Sequence, residues 1–384
     1  MKPVILVVFA LLLAFIVLTF VPTTGASEET DLKKVPIQDY DPVPMLKTDV
    51  NLVDKAKYPA VDIHNHLRRA DTPARVDEMI RAMNETGVTA VVNLDGGWGE
   101  ALEKNIERMN KRYPGRFIQF MRLDWSRIDE PGFGETMARE LEKGVQMGAQ
   151  GLKISKQLGL GVRDKTGELI RVDDPRLDPV WAKCGELKLP VAIHIADPVA
   201  FWTPLDTKNE RLIELMDHPQ WVYGPEFPSR EELLRQRNTV IERHPNTTFI
   251  ALHIAGAAED LKRVGGWLDK YPNMCVETGA RISELGRQPY TARLFFLKYQ
   301  DRVLFGTDTT PLSGVKLAKD GQEMYRIHWR WFETDDEYFD VSKTHHLQAL
   351  WRACGIYLPD EVLKKLYYGN AVRLVPDLKV SAMP

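Results

Sequence analysis

The chain contains nine histidines, and four of them, with one aspartate, stand at the ends of short apolar runs. The first run closes on Asp62-Ile63-His64-Asn65-His66 and another on Val191-Ala192-Ile193-His194. A third closes on Ile250-Ala251-Leu252-His253 and a last on Leu304-Phe305-Gly306-Thr307-Asp308. Residues two apart in a strand point to one side, so the His64 and His66 imidazoles project together. Neutral imidazole nitrogens with a carboxylate form a donor set for Zn2+ or a similar divalent ion, with one position open for water. A lone His-x-His pair occurs by chance, and a single histidine is more often hydrogen-bonded in a core. The five residues gain meaning from their common place at run ends.

That place depends on the elements beneath. Apolar β-rich runs occur at 60–66, 90–94, 117–123, 151–154, 191–195, 248–254, 274–277 and 303–305. Amphipathic stretches lie between them. In 75–86, Val76, Met79, Ile80 and Met83 recur three and four apart, a helical stripe, and 135–147 and 231–243 behave alike. Short buried strands alternating with helices mean βαβ units and parallel pairing. Eight runs predict an α/β fold, a (β/α)8 TIM barrel, whose chemistry gathers at the C-terminal strand ends. An open doubly wound sheet is the alternative; its usual phosphate loop, GxGxxG after the first strand, is absent.

Other residues fall at the same ends. Arg68 and Arg69 follow the first motif and suit either a substrate carboxylate or a solvated loop. Asp95-Gly96-Gly97-Trp98 closes the second run and Asp124-Trp125 the third. Trp125 is expected at the substrate, and Glu277, ending the seventh run, either there or behind a ligand. Lys153 ends the fourth run, and neighbouring Lys156 makes that end electropositive, which suits an anionic substrate. A long insertion from Asp197-Pro198 carries Phe201, Trp202, Trp221, Tyr223 and Phe227. It reads as a lid for an apolar or aromatic ligand, or as a loop packed down by its own rings. His345 and His346 are expected on a helix surface, and His218 and His244, each before a proline, at turns or helix ends.

The segments VDIHNH, GLKIS, AIHIAD, ALHIAG, LFGTD and LYYGNAVRL, in this order between about 60 and 374, resemble the amidohydrolase superfamily. More narrowly they resemble its amidohydrolase-related (amidohydrolase 2) branch of small-molecule hydrolases, lactonases and non-oxidative decarboxylases. The resemblance implies His64, His66, His194 and Asp308 as ligands of one divalent ion rather than two. It implies His253 as an acid/base beside that ion, or as a ligand where two are bound. At Lys153, binuclear relatives carry a carboxylated lysine, whereas the counterpart in this branch is often an ordinary lysine near the substrate; a purely structural lysine is the third possibility. The implied reaction is hydrolysis of an amide, ester or lactone by metal-activated water. Asp308 would take the water's proton, and His253 would stabilise the oxyanion or protonate the leaving group. A carboxy-lyase acting on an aromatic or unsaturated acid would use the same ligands. A non-catalytic binding barrel of the cell envelope is the remaining alternative.

Composition narrows the partners. With 384 residues and a net charge of -3, the chain lacks the basic face that nucleic acid requires. A small molecule is the expected partner, and homo-oligomers are compatible with the sequence. Three widely spaced cysteines, Cys184, Cys275 and Cys354, fit no disulfide framework or CxxC site. Lys2, an apolar run over 3–22 and small residues near Ala26 describe an export signal or an uncleaved membrane anchor. The expected organisation is 1–26 signal or anchor, 27–58 linker, and 59–384 barrel. The expected location is periplasmic or extracellular, with membrane contact only through the N-terminal segment.

Overall fold

The computed structural model describes residues 32–36, 39–40, 43–310, 321–341, 351–376 and 378. The chain divides into two units, Met1–Met45 and Leu46–Pro384. In the first, the described residues include a 3-10 turn, Leu32–Lys34. The expected signal or anchor over 1–26, and His345 and His346, lie outside the described residues. No helix among the described residues is long and apolar enough to cross a membrane.

The second unit is built on eight strands: β1 (Ala60–Asn65), β2 (Val88–Asn93), β3 (Phe117–Met121), β4 (Ala149–Ile154), β5 (Val191–Ile193), β6 (Phe249–Ala251), β7 (Met274–Glu277) and β8 (Val303–Leu304). Each pairs in parallel with the next in chain order. The ring closes where Ile63 N donates to Phe305 O at 3.1 Å, Asp308 N to His64 O at 2.8 Å and His66 N to Thr309 O at 3.0 Å. All eight expected runs are therefore strands, and the sheet is a closed TIM barrel rather than an open one.

Helices cover the strands as the periodicity predicts. The first, Pro73–Thr86, starts at a Thr72 cap whose side chain accepts from Arg75 N and stops at Gly87, φ 85°. Its buried stripe includes Val76, Met79, Ile80 and Met83. Each such side chain contributes about 1.5–3 kcal/mol on burial. Phe133–Met147 and Arg230–Arg243 are the other two expected helices. Inside the ring, Val61, Ile63, Val92, Phe120, Ile250 and Leu304 pack together, joined by Ala371 from the C-terminal helix and Val375 just after it. Phe120 fills this interior so fully that a Cβ on Gly151 would lie 2.3 Å from its ring. Cys184 and Cys275 are buried, Cys354 is half-buried, and all three are free thiols.

Six strands end one to three residues before their apolar runs, and three of them pass directly into buried turns. β5 stops at Ile193, β6 at Ala251 and β8 at Leu304. The runs continue as turns carrying non-glycine residues in the left-handed region: Ala196, His253-Ile254-Ala255 and Asp308. Hydrophobicity carries on past the strand because these turns are buried too.

Candidate metal centre and its pocket

The His64–His66 pair is placed by a fault in the first strand. Val61 and Ile63 face the barrel interior. Unbroken alternation would turn His64 away from it. Between Asp62 and Asn65, however, β1 holds one more residue than β2, because Asp62 pairs with Val91 and Asn65 with Asn93. Such a bulge re-aims the side chains beyond it. Asp62 secures it: Oδ1 accepts from His64 N and Thr307 N, each at 3.0 Å, and Oδ2 accepts from the Thr307 hydroxyl at 2.5 Å and the Tyr325 hydroxyl at 3.0 Å.

Two further site residues sit on strained backbone. His253 has φ 60° and Asp308 φ 61°. Each such residue costs on the order of 1–3 kcal/mol and persists only where its surroundings hold it. The turn carrying His253 is held by two buried arginines, Arg237 donating to Ala255 O and Arg230 to Gly256 O. His253 N itself donates to Glu277 Oε1 at 2.6 Å.

Each of four imidazoles commits one nitrogen outward. His64 Nδ1 meets Glu277 Oε1 at 3.0 Å, and His66 Nδ1 meets Asp95 Oδ2 at 2.9 Å. His194 Nε2 meets Asp197 Oδ1 at 3.2 Å, and His253 Nδ1 meets the Gly279 carbonyl at 2.8 Å. These acceptors assign the tautomers: the outer nitrogen carries the proton and the inner one a lone pair. The inner nitrogens converge. His64 Nε2 and His66 Nε2 lie 3.0 and 3.1 Å from Asp308 Oδ1. His253 Nε2 lies 3.8 Å from Asp308 Oδ2 and 3.3 Å from His194 Nδ1.

Lone pairs facing one another at these distances repel unless a cation stands between them. For His64 a proton would serve: burial opposes its charge, but Asp308 and Glu277 outweigh burial and carry the imidazole up to about 9. No proton serves the other pair. Burial drives His194 down to about 4 despite Asp197, and burial with the neighbouring His194 drives His253 well below its ordinary range. A divalent ion satisfies all of them, since it binds neutral imidazole and carboxylate. Metal–ligand bonds of about 2.0–2.1 Å set neighbouring ligand atoms roughly 3.0–3.4 Å apart, close to the spacing found here. Among the described residues, His64, His253 and Asp308 form the group whose ligand atoms all lie within 4.8 Å of one another. The residues present fit a metal ion; this geometry sets His253 with His64 and Asp308 as the tightest donor group, whereas the family resemblance implies His64, His66, His194 and Asp308 as the ligands with His253 beside them.

The carboxylates behind the ring are tuned to stay charged. Burial alone would raise Asp95 and Asp197, yet His66 and Arg68 hold the first, and Lys156 and His194 the second, far below the usual carboxylate range. Burial also opposes the charge on Glu277, and the His64 contact with the backbone donors outweighs it. Carboxylates behind metal-type histidines fix the ring and raise its basicity.

Over this centre opens a cavity of about 870 Å3. Lys153, Arg68, Arg69, Arg122 and Arg281 line it, with Phe201 and Trp221 from the insertion after β5. Phe201 and Trp221 stack with centroids 5.9 Å apart, and Lys156 Nζ lies 4.9 Å from the Trp221 ring and 2.6 Å from Asp197. The insertion is pinned by Tyr223, whose hydroxyl donates to Asp197 at 2.8 Å, and by buried Arg211, paired with Glu214 and Glu284. Phe201 and Trp221 thus face the cavity as a lid's rings would, while Trp202 and Phe227 pack on Tyr223.

One expected substrate contact is corrected, and for Glu277 the structure takes the second of its two readings, behind a ligand. Trp125 stacks on Phe133, centroids 6.0 Å apart, and does not line the cavity. Glu277 has no exposed surface and lies under the histidines, where it accepts from His64, His253 N and Gly279 N. Arg68 does line the cavity, but the carboxylate it clamps is the chain's own Asp95, at 2.9 and 3.0 Å. Lys153 is in place, buried and without a hydrogen-bond partner. Asp62, Arg122 and Arg281 were not singled out by type or spacing. The signal within reach was Asp62, two residues ahead of His64 in a run of otherwise apolar strand residues.

Solved structures similar to this chain include a TIM-barrel protein from Bordetella bronchiseptica, 15% identical, TM-score 0.49, covering 82% of this chain and 97% of that one. A 2,6-dihydroxybenzoate decarboxylase from Rhizobium is 16% identical, TM-score 0.49, covering 83% and 98%. A 4-oxalomesaconate hydratase from Rhodopseudomonas palustris is 15% identical, TM-score 0.48, covering 83% and 95%. No curated protein matches the chain. The family described as amidohydrolase matches residues 61–376, from the first barrel strand to the C-terminal helix, and the chain belongs to that family.

Proposed function

We propose that the protein is a metal-dependent hydrolase of a small-molecule lactone, ester or amide, with Zn2+ as the first candidate and one ion rather than two. The observation that carries this is the inward convergence of three imidazole lone pairs, those of His64, His66 and His253, on Asp308, with His194 Nδ1 against His253 Nε2, while each outer nitrogen is tied to its own acceptor. A divalent ion held there supplies Lewis acidity, lowering a water's pKa towards about 7 and polarising a carbonyl. Asp308 and His253 set two proton acceptors side by side, 3.8 Å apart, which suits removal of a proton from water. His253 Nδ1–H is committed to Gly279 O, so its Nε2 must take a proton before it can give one to a leaving group.

A carboxy-lyase is the second reading. It is favoured by Lys153, whose buried ammonium adjoins Asp308 and could deliver a proton to carbon. The N-terminal segment fits export in either case.

One experiment separates them. The protein is stripped with chelator, reloaded with Zn2+ or Mn2+, and given pooled lactones, esters, amides and aromatic acids in 18O-labelled water. Label in the product supports hydrolysis. CO2 release with unlabelled product moves the assignment to the lyase. No turnover in protein of verified metal content overturns both and leaves a binding barrel.

A further inference from the structure

The cavity wall holds more positive charge than the chain itself neutralises. Arg68 is spoken for by Asp95, Lys156 by Asp197, and Arg211 by Glu214 and Glu284. Of the other buried or half-buried cations, Lys153 and Arg281 are not, and Arg122 is only in part. Lys153 Nζ is buried, with no hydrogen-bond partner. Arg281 is 5% exposed, and its guanidinium bonds only to the carbonyl of Ala280, with no carboxylate within ion-pair reach among the described residues. Arg122 reaches only Asp95, at 3.4 Å, and that carboxylate already serves His66 and Arg68. Buried charges are ordinarily paired, and an unpaired one costs free energy that calls for an explanation.

Their places in the barrel supply it. Arg122 follows β3 and Arg281 follows β7, four strands apart in a ring of eight, hence on opposite sides of the mouth. Lys153 stands next to Arg122, on β4. Arg281 stands next to His253. The metal-type cluster lies between. A neutral ligand would leave both sides unpaired, and a single acid group would leave one.

We propose that the pocket takes a substrate with two acidic groups, a dicarboxylic acid derivative, with one carboxylate seated by Lys153 and Arg122 and the other by Arg281. This rests on the cavity being the substrate site of the proposed enzyme. Guanidinium and ammonium groups in a water-poor wall form charge-assisted hydrogen bonds about twice as strong as neutral ones. The substrate's charges would complete the wall.

The test is calorimetric titration of metal-loaded protein with straight-chain and aromatic diacids, each beside its own monoacid at matched ionic strength. Diacids should bind about tenfold or more tightly than their monoacids. Arg281→Gln should bring the best diacid down to its monoacid. Lys153→Met should weaken both and raise the Tm of the unliganded protein, because it removes a buried unpaired charge; a lysine kept for structure would lower it. Equal affinity for diacids and monoacids, no binding across the panel, or a diacid preference surviving Arg281→Gln would overturn the proposal. Binding is read without turnover. A diacid preference in a protein that hydrolyses nothing sinks only the hydrolase reading. Hydrolysis of neutral esters without that preference sinks only this inference.

Discussion

Glu277→Gln tests whether the metal-type site is set from beneath. Glu277 receives three N–H groups on two oxygens: His64 Nδ1 at 3.0 Å and His253 N at 2.6 Å on Oε1, and Gly279 N on Oε2. Glutamine keeps the shape but replaces one oxygen with a donor. Turned either way, it sets its NH2 against at least one of these N–H groups. A buried hydrogen bond lost in this way costs about 1–3 kcal/mol. No side-chain movement relieves it, because Gly279 and Gly306 press on the carboxylate: a Cβ on either would lie 2.7 or 2.4 Å from Oε2. The same change removes the charge that polarises His64. Loss of a partner behind a metal-ligating histidine typically weakens metal binding 10–100-fold, which is roughly 1.4–2.7 kcal/mol and agrees with the hydrogen-bond figure. The assay is competition of stripped protein against a chromophoric chelator for Zn2+, with circular dichroism to certify the fold. Zn2+ affinity within about twofold of the native protein, in a folded variant, would refute the reasoning.

Two other outcomes are expected. Asp308→Asn should keep its fold, since asparagine tolerates the left-handed backbone at φ 61°, and should lose about 10^2–10^4 in turnover; full activity at verified metal content would sink the assignment. Lys153 gives a pH signature: burial drives its ammonium from 10.5 down to about 7, against the pull of Asp308 and Glu277. The unfolded chain then binds more protons between those two values, so stability rises with pH across that window and the penalty is complete below it. Thermal melts of stripped protein from pH 7 to 10 should climb relative to Lys153→Met, and parallel curves would contradict the shift.

The barrel and the five metal-type residues were legible because two periodicities reinforce each other. Helical stripes such as Val76–Met79–Ile80–Met83 and short apolar runs alternate, and the metal-type residues all stand at run ends. What lay beyond sequence was parity and depth. The bulge at Asp62–Asn65 reverses which side His64 faces, and it is a matter of pairing with β2, invisible in β1 alone. Glu277 ends β7 as Lys153 nears the end of β4, and Trp125 follows β3 in a short turn, yet the first dives under the histidines and the last turns onto Phe133. Those choices are made by Gly279, His253 and Phe133, which lie on neighbouring turns and helices. The run ends at 195 and 254 misled for a related reason, because a buried left-handed turn is as apolar as the strand it leaves.

Charge explains why the site separates into two shells. Asp308, Glu277, Asp95 and Asp197 each meet an imidazole, and their acceptor capacity is directed at the ring nitrogens. Lys153 feels Asp308 and Glu277 through space but has no hydrogen bond from either. A divalent ion at the lone-pair focus would offset the carboxylate charge and weaken that attraction further. The cationic wall would then carry its excess with less internal compensation, and affinity for an anion should rise as metal is loaded. Linkage makes the effect reciprocal: a bound dianion should tighten the metal by the same factor. Metal binding and substrate binding would thus be coupled through Lys153, a residue bonded to neither Asp308 nor Glu277.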